Sequence, residues 1–301
     1  MMKFVFLVLL NLFALASLTH ADVREWTNSK GQKISAALVS YDKENATVVI
    51  RKKGDDRTFT LQLDTLSEAD HEWLEQWHSE QEKKKEAEAA ALAEMNQKGG
   101  KTFPLKSDGD LPTAYYVYYP KNFDASKKYP TLIMFSANGK GERMLNSIRQ
   151  GCDALDWIAV GCDTFRNGGN EEEFFKRFTD LLPHIESNVP HDPDALYMGG
   201  MSGGALRAYD FSAKFDRPWA GILAYGGWLG PRGIEAETGK KMRVAIVNGD
   251  KDKNANHYVE RDTKLLEKNR CTVKYITFPG GHVIAPPDVA EQALRWIAEQ
   301  E

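Results

Sequence analysis

The sequence predicts an α/β protein: a mostly parallel, doubly wound sheet with helices on both faces, preceded by a smaller β-rich unit. From Lys101 onward, short apolar runs alternate with runs of helix-forming residues, the pattern of a parallel sheet covered by helices. Before Lys101, a β-rich segment is followed by a charged, alanine-rich stretch. The predicted organisation is a signal peptide at 1–21, a small β module at 22–78, a helical linker at 79–100 and the α/β domain at 101–301.

The first residues predict export. Lys3 precedes an apolar run from Phe4 to Leu18, and the small residues Thr19 and Ala21 follow at the positions of a cleavage site. These features are typical of a secretory signal peptide removed after Ala21, which predicts a secreted or periplasmic protein. An uncleaved membrane anchor is the alternative, and the shortness of the apolar run disfavours it. No later run is apolar enough to be expected to span a membrane.

Composition excludes some classes of partner. The net charge is −4 and no basic stripe carries interleaved aromatic residues, so a nucleic-acid partner is not expected. The three cysteines, Cys152, Cys162 and Cys271, form no C-x-x-C pair, so a structural zinc site is not expected. No cofactor is expected either. In an exported protein Cys152 and Cys162 could form a disulfide or lie reduced as small buried residues, and the sequence leaves both open.

The β module is predicted from alternation and turn residues. Strands are expected at 33–39, 47–51 and 57–63, separated by turns at 42–45 and 54–56. In the first of them Ile34, Ala36 and Leu38 share one face. A short helix is expected after Ser67, whose hydroxyl can accept a hydrogen bond from the backbone N–H three residues on.

Short motifs in this module resemble a known domain. They are Arg24–Thr27, Gly31–Ala36, Arg51-Lys52 and Leu66–Asp70. They are similar to the SH3-like first homology domain of the yeast endocytic adaptor Sla, which also appears in exported bacterial proteins. The resemblance implies a binding or spacer module with a peptide or cell-envelope ligand, and a small barrel that only packs is the open alternative.

The stretch from 79 to 100 is rich in Glu, Lys and Ala, with Glu/Lys pairs at helical spacing. It lacks the sustained apolar positions of a coiled coil, so it is predicted to be a solvated helix that Gly99-Gly100 ends.

In the α/β domain, strands are predicted at 114–119, 131–135, 157–162, 195–199, 219–225, 243–248 and 273–278, and helices at 142–155, 171–186, 203–214, 258–268 and 287–301. Ligands of such sheets bind beyond the carboxyl ends of the strands. Ser202, the acidic turn 250–252 and His282 each follow a predicted strand, so they are expected to lie close together.

Ser202 lies in the motif Gly200–Gly204, which reads G-x-S-x-G between a predicted strand and a predicted helix. That context places the serine in a strained, sharp turn at the top of the sheet. A serine hydroxyl becomes a good nucleophile only when a base takes its proton, and the base is usually a histidine oriented by a carboxylate. The oxyanion of an acyl-transfer reaction also needs N–H donors, for which we expect Gly203 and either Ala137 or Asn138.

His282, in the loop after the last predicted strand, is the preferred base. A surface or capping histidine is the alternative reading, and the other mature histidines are poorer candidates. Asp252 is preferred as the acid over Asp250, because the turn needs a few residues before the carboxylate can point back, and Asp250 remains open. The turn mimics the start of a calcium loop, but Ala255 and Arg261 replace the glycine and glutamate it requires, so no metal is expected.

Residues 101–301 resemble the α/β-hydrolase family, near its small secreted esterases of the feruloyl, acetylxylan, polyhydroxybutyrate-depolymerase and dienelactone-hydrolase types. The motifs that carry the resemblance are Gly200–Gly204, Asn248–Asp252, Gly280–His282 and the lead-in His191–Tyr197. It implies Ser202 as nucleophile, Asp252 as acid, His282 as base and a small-molecule or polysaccharide-linked ester as substrate. Many relatives carry His-Gly where this chain has Ser136–Gly139, which leaves the second oxyanion donor open.

The leading hypothesis is an exported serine hydrolase, a carboxylesterase that acts through an acyl-enzyme. A non-catalytic binding protein on a decayed hydrolase scaffold and a serine peptidase of the same fold are the alternatives. No insertion is long enough to predict a large lid, so an open cleft is expected, with Trp228 either lining it or packing.

Overall fold

The structure, a computed structural model, describes residues 23–54, 57–230 and 242–299. The predicted signal peptide, Asp55-Asp56 of one predicted turn and the last two residues of the predicted C-terminal helix lie outside these ranges. Residues up to Ala93 and residues from Glu94 onward form two separate units. Within the described ranges, no helix has the length and apolar character needed to cross a membrane.

The first unit is a four-stranded antiparallel sheet in the order β1-β2-β3-β4. Its strands are β1 (Arg24–Thr27), β2 (Lys33–Asp42), β3 (Thr47–Lys52) and β4 (Thr58–Gln62), followed by a 3₁₀ turn (Leu63–Thr65). Side chains of β2 alternate between the two faces of the sheet, and Ala36 and Leu38 point inward, where they pack with Trp26 and Ile50. An SH3-like identity for this unit stays a prediction.

A partly buried ion pair ties β1 to the following helix, α1 (Glu68–Asn96). The Asp70 carboxylate accepts hydrogen bonds from Arg24 at 2.6 Å and from the Thr27 N–H at 2.8 Å. The Arg24 guanidinium lies 4.8 and 4.0 Å from the ring centroids of Trp26 and Trp73. The aromatic faces shield a charge that would be costly to bury unpaired.

α1 is a single helix of 29 residues that includes most of the predicted linker. Its second half is almost entirely exposed, as its Glu, Lys and Ala content indicates. The short helix and the separate spacer of the sequence analysis are therefore one continuous element.

The second unit is an eight-stranded sheet in the order β12-β11-β10-β9-β7-β8-β6-β5. The strands are β5 (Thr102–Lys106), β6 (Ala114–Tyr118), β7 (Tyr129–Ser136), β8 (Ile158–Cys162), β9 (His191–Met201), β10 (Trp219–Tyr225), β11 (Arg243–Gly249) and β12 (Thr272–Phe278). The six strands from β7 to β12 are parallel, whereas β5 and β6 are antiparallel at one edge. This confirms the predicted mostly parallel α/β sheet and adds β5, which was not predicted.

Helices cover both faces of the sheet. They are α2 (Glu142–Leu155), α3 (Glu171–Asn188), α4 (Gly203–Lys214), α5 (Lys253–Asn256), α6 (Val259–Lys268) and α7 (Pro287–Ala298). The apolar sides of α2 and α7 pack into one layer of core, and those of α3, α4 and α6 pack into the other. The carboxyl ends of the parallel strands are left between the two helical layers.

The disulfide left open by the sequence is not formed. Cys152 belongs to the core layer under α2 and α7, whereas Cys162 belongs to the layer on the opposite face. The sheet therefore separates the two thiols, and both are free and buried. Burial raises the pKa of each thiol, so neither is activated as a nucleophile.

Candidate active site

Ser202 occupies a strained turn between β9 and α4. Its φ of 57° and ψ of −120° lie in a region that residues with a side chain rarely adopt. Two hydrogen bonds hold the turn: the Ser202 N–H donates to the Tyr225 carbonyl at 2.8 Å, and the Ser202 carbonyl accepts from the Ala205 N–H at 2.9 Å. Strain of this kind persists only where the surroundings fix it, and it is concentrated at functional sites.

Two glycines allow the backbones at the turn to touch. A Cβ on Gly204 would lie 2.1 Å from the carbonyl oxygen of Phe135, and one on Gly200 would lie 2.5 Å from the carbonyl carbon of Gly204. Any side chain at either position would push the end of β7 away from the turn. The contact brings the loop after β7 beside Ser202.

The strained backbone gives a stability prediction. The variant Ser202→Gly is expected to be about 1 kcal/mol more stable than Ser202→Ala, because glycine adopts a positive φ without strain and the other variant does not. Urea unfolding of both variants followed by circular dichroism measures the difference. Both variants lack the hydroxyl, so the comparison cancels the loss of its hydrogen bond. Equal or reversed stabilities would show that the turn stores no strain.

His282 links Ser202 to Asp252 by hydrogen bonds. Its Nε2 lies 2.9 Å from Ser202 Oγ, and its Nδ1 lies 2.8 Å from Asp252 Oδ2. A carboxylate can only accept, so Nδ1 carries the proton and the lone pair of Nε2 accepts from the serine hydroxyl. The imidazole is thus in the tautomer that can take a proton from Ser202.

The Asp252 carboxylate is buried, with 2% of the residue exposed, and its two oxygens have different partners. Oδ1 accepts from the backbone N–H groups of Asn254 and Ala255 at 3.1 Å each, which caps α5. Oδ2 accepts from His282. The two hydrogen bonds from backbone N–H groups fix the Asp252 side chain and leave its other oxygen for the imidazole.

Asp250, the alternative acid, lies near the same site but has another partner. It is exposed, and its Oδ1 accepts from the Gly280 N–H at 2.9 Å. It therefore braces the loop that carries His282, while Asp252 contacts the imidazole itself.

The buried side-chain amide of Asn248 supports the same end of the sheet, where the strands finish. Asn248, at the end of β11, accepts from the Gly226 N–H at 3.0 Å and donates to Asn256 Oδ1 at 2.9 Å. A Cβ on Gly226 would lie 3.2 Å from His282 Nδ1, so this glycine lies directly against the imidazole. No role for Asn248 was predicted from the sequence, although a polar residue in an apolar strand was a signal for one.

The other histidines among the described residues have partners elsewhere. His71 bonds to the Leu63 carbonyl, His78 packs on Tyr41, His184 bonds to Tyr115, His191 lies against the Val189 carbonyl and His257 packs on Tyr258. Trp228, half-buried, stacks on Tyr258 with ring centroids 5.1 Å apart. Within the described ranges, no group of three or more His, Cys, Asp or Glu side chains is placed to hold a metal ion.

The expected N–H donors differ in their bonding. The Asn138 N–H is directed at Ser136 Oγ, 3.4 Å away. In the part of the chain that the structure describes, the N–H groups of Gly203 and Ala137 have no hydrogen-bond acceptor. Gly203 also begins α4, where the positive end of the helix dipole favours negative charge. Of the two candidates for the second donor, the geometry favours Ala137 over Asn138.

Asn167, to which the sequence analysis gave no role, covers Gly203. Its Oδ1 lies 1.7 Å from the position that a Cβ on Gly203 would have, so the amide fills that space. Its backbone N–H donates to the Ala137 carbonyl at 2.8 Å. Asn167 therefore joins the loop after β8 to both expected oxyanion donors.

No family model and no curated protein matches the sequence. Several solved structures, in contrast, are similar to this chain. The chain is similar to an S-formylglutathione hydrolase from Staphylococcus aureus (12% identity, TM-score 0.54, covering 67% of this chain and 98% of the other). It is also similar to a fluorophosphonate-binding serine hydrolase of the same organism (12% identity, TM-score 0.54, covering 67% and 100%). A third is a ferulic acid esterase from the anaerobic fungus Anaeromyces mucronatus (14% identity, TM-score 0.51, covering 66% and 90%).

At identities this low, the likeness establishes the fold and leaves the activity to be argued from the site. The match covers 98%, 100% and 90% of the length of these three structures. The larger unit of this chain has the α/β-hydrolase fold.

Proposed function

We propose that the protein is a serine hydrolase that cleaves carboxylic esters through an acyl-enzyme. The observation that carries the proposal is the hydrogen-bonded series Ser202–His282–Asp252, with the serine on a strained turn at the start of α4. A nucleophile, a base in the correct tautomer and a buried carboxylate that orients it are the parts that acyl transfer by serine requires.

In the first half of the proposed reaction, Ser202 Oγ attacks the ester carbonyl carbon while its proton passes to His282 Nε2. Asp252 stabilises the imidazolium that forms, and the N–H groups of Gly203 and Ala137 bind the oxyanion. The C–O bond to the alcohol then breaks, and the imidazolium returns the proton to the departing oxygen. Water repeats the sequence on the acyl-enzyme, which releases the acid and restores Ser202.

Ester cleavage is favoured over peptide cleavage by the names of the similar structures, which include an S-formylglutathione hydrolase and a ferulic acid esterase. By analogy, the substrate is a small-molecule or polysaccharide-linked ester. A panel of aminoacyl amides against acyl esters separates the esterase from a peptidase of the same fold.

Export and the role of the first unit belong to the same proposal. The apolar run after Lys3 supports secretion, to the medium or the periplasm. The small antiparallel sheet of the first unit is proposed to be an SH3-like module that binds a peptide or cell-envelope ligand.

The test is labelling by a fluorophosphonate, which reacts with a serine whose hydroxyl is activated by a base. The purified mature protein is expected to gain one label, and peptide mass spectrometry is expected to place it on Ser202. Heat-denatured protein is the control and should remain unlabelled. Folded protein that takes no label would instead favour the non-catalytic alternative, a binding protein on a hydrolase scaffold.

A further inference from the structure

The nucleophile and the acid–base pair of the proposed triad are held by different strands. Ser202 follows β9, whereas Asp252 and His282 lie on the loops after β11 and β12. In the sheet, β10 lies between β9 and β11. The distance between the serine hydroxyl and the imidazole therefore depends on what joins the two parts across the end of β10.

The peptide group between Tyr225 and Gly226, at the end of β10, is hydrogen-bonded on both sides. Its carbonyl oxygen accepts from the Ser202 N–H at 2.8 Å. Its N–H donates to Asn248 Oδ1 at 3.0 Å and to the Val247 carbonyl at 3.1 Å. A peptide group is planar, so its carbonyl and its N–H move together. A displacement of this N–H is therefore transmitted to the backbone of the nucleophile.

The same peptide group lies against the acid and the base. A Cβ on Gly226 would lie 3.1 Å from Asp252 Oδ2 and 3.2 Å from His282 Nδ1. Gly226 has a φ of 51°, which residues with a side chain rarely adopt. A side chain at this position would be both strained and crowded, so the backbone packs directly against the Asp252–His282 pair.

Asn248 joins this peptide group to the loop that carries the acid. Its side chain is fully buried, and the Gly226 N–H can only donate, so the atom that faces it is Oδ1. The other end of the amide, Nδ2, donates to Asn256 Oδ1 at 2.9 Å. Asn256 Nδ2 donates to the Gly249 carbonyl at 3.0 Å, and the Asn256 N–H donates to the Asp252 carbonyl at 3.0 Å. The Asn248 amide thus links the peptide group at the end of β10 to the turn that ends in Asp252.

The partners of the Asn248 amide each have a second hydrogen bond. The Gly226 N–H also reaches the Val247 carbonyl, and Asn256 Oδ1 also accepts from the Tyr275 hydroxyl at 3.0 Å. Among the described residues, removing the amide therefore leaves neither partner without a hydrogen bond. A buried group left unpaired is the main cost of such a truncation, so the link can be cut in a protein that still folds.

We propose that Asn248 is a positioning residue of the esterase reaction, which sets the distance between Ser202 Oγ and His282 Nε2. It acts through the backbone and the acid loop, because a fully buried side chain cannot touch the substrate. A misplacement of about 1 Å between reacting groups can lower a rate by about 10²-fold. The inference rests on the proposed esterase function.

The test is the variant Asn248→Ala, assayed with p-nitrophenyl acetate. We expect kcat/KM, which reports formation of the acyl-enzyme, to fall about 10- to 100-fold. The matched control is Asn188→Ala, which removes a half-buried amide that donates to the His184 carbonyl on α3. The control is expected to keep the wild-type value. Equal values of kcat/KM in the two variants would overturn the positioning role.

Proton NMR distinguishes positioning from a general loss of structure. The proton on His282 Nδ1 bonds to a carboxylate, so we expect its resonance downfield of the backbone amides, assigned by its absence from His282→Ala. Asn248→Ala is expected to retain this resonance, because the Asp252 carboxylate is held by the N–H groups of Asn254 and Ala255. Loss of the resonance would mean that Asn248 supports the Asp252–His282 pair or the fold, and the inference would be wrong.

A double-mutant cycle with Asn256→Ala tests the route of the effect. If Asn248 acts through Asn256, the double variant should lose no more than about twofold in kcat/KM beyond the more severe single variant. Losses that multiply would show that the two amides act independently, which contradicts the proposed link.

The outcomes also separate this inference from the proposed function. Wild-type protein that hydrolyses the acetate, together with an Asn248→Ala variant of equal kcat/KM, overturns the positioning role and leaves the esterase intact. Wild-type protein that hydrolyses no ester overturns both.

Discussion

Replacing Ser202 by alanine is expected to lower kcat for p-nitrophenyl acetate by about 10⁴- to 10⁶-fold. The variant retains the oxyanion donors and the imidazole but has no atom that can form the acyl-enzyme. Direct attack by water sets the lowest rate that we expect, because the N–H groups of Gly203 and Ala137 would still polarise the ester carbonyl. Circular dichroism and urea unfolding check that the protein remains folded.

The matched control for this variant is Ser187→Ala, on the exposed side of α3, which removes a hydroxyl bonded to the Pro183 carbonyl. It is expected to keep full activity. A Ser202→Ala protein with more than about a tenth of wild-type turnover would mean that another group is the nucleophile.

Replacing Asp252 by asparagine is expected to lower kcat by about 10⁴-fold with little effect on folding. The asparagine amide can donate to His282 Nδ1, which favours the tautomer with the proton on Nε2. In that state the imidazole cannot accept the proton of Ser202. Steady-state kinetics with the same acetate ester measure the loss.

The variant Asp250→Asn is the comparison, and it decides between the two acids that the sequence left open. An asparagine at 250 can still accept from the Gly280 N–H, the one bond that the carboxylate makes to the loop carrying His282. Its loss of kcat is expected to be less than about tenfold. If Asp250→Asn were the more severe variant, the assignment of the acid would be reversed.

The α/β fold could be predicted from sequence because each of its signals is local. Alternating apolar and helix-forming runs indicate a parallel sheet whatever the details of packing. The turn at Ser202 is likewise recognisable, since its glycines are required by contacts between adjacent segments, Gly204 against Phe135. The juxtaposition of Ser202, Asp252 and His282 followed from the rule that the carboxyl ends of parallel strands share one edge.

Other features depend on how a strand is placed among its neighbours in the sheet, which the sequence of that strand alone does not contain. β5 was missed because Pro104 interrupts it, and proline is tolerated there because β5 is an edge strand paired only with β6. The separation of Cys152 from Cys162 depends on which face the last residue of β8 presents. Every residue of β8 is buried, so no alternation reveals that face.

The ion pair between Glu171 and Arg207 was unpredictable for a similar reason. Glu171 begins α3, whereas Arg207 lies on α4, and only the folded structure brings the two side chains together. The acidic first turn of α3 indicates by itself no more than a favourable helix start. Pairings between side chains distant in sequence have no periodicity that a reader of the chain can detect.

The hydrogen bond from the Gly280 amide to Asp250 has a consequence for how the proposed triad would move. The acid and the base follow adjacent paired strands, β11 and β12, and this bond together with that from the Lys251 amide to the Gly280 carbonyl fastens their two loops together. Carboxylate and imidazole would therefore shift as one rigid pair, while the nucleophile is anchored separately at β9 and α4. Between turnovers, the distance from His282 Nε2 to Ser202 Oγ would therefore vary more than the distance from His282 Nδ1 to Asp252 Oδ2.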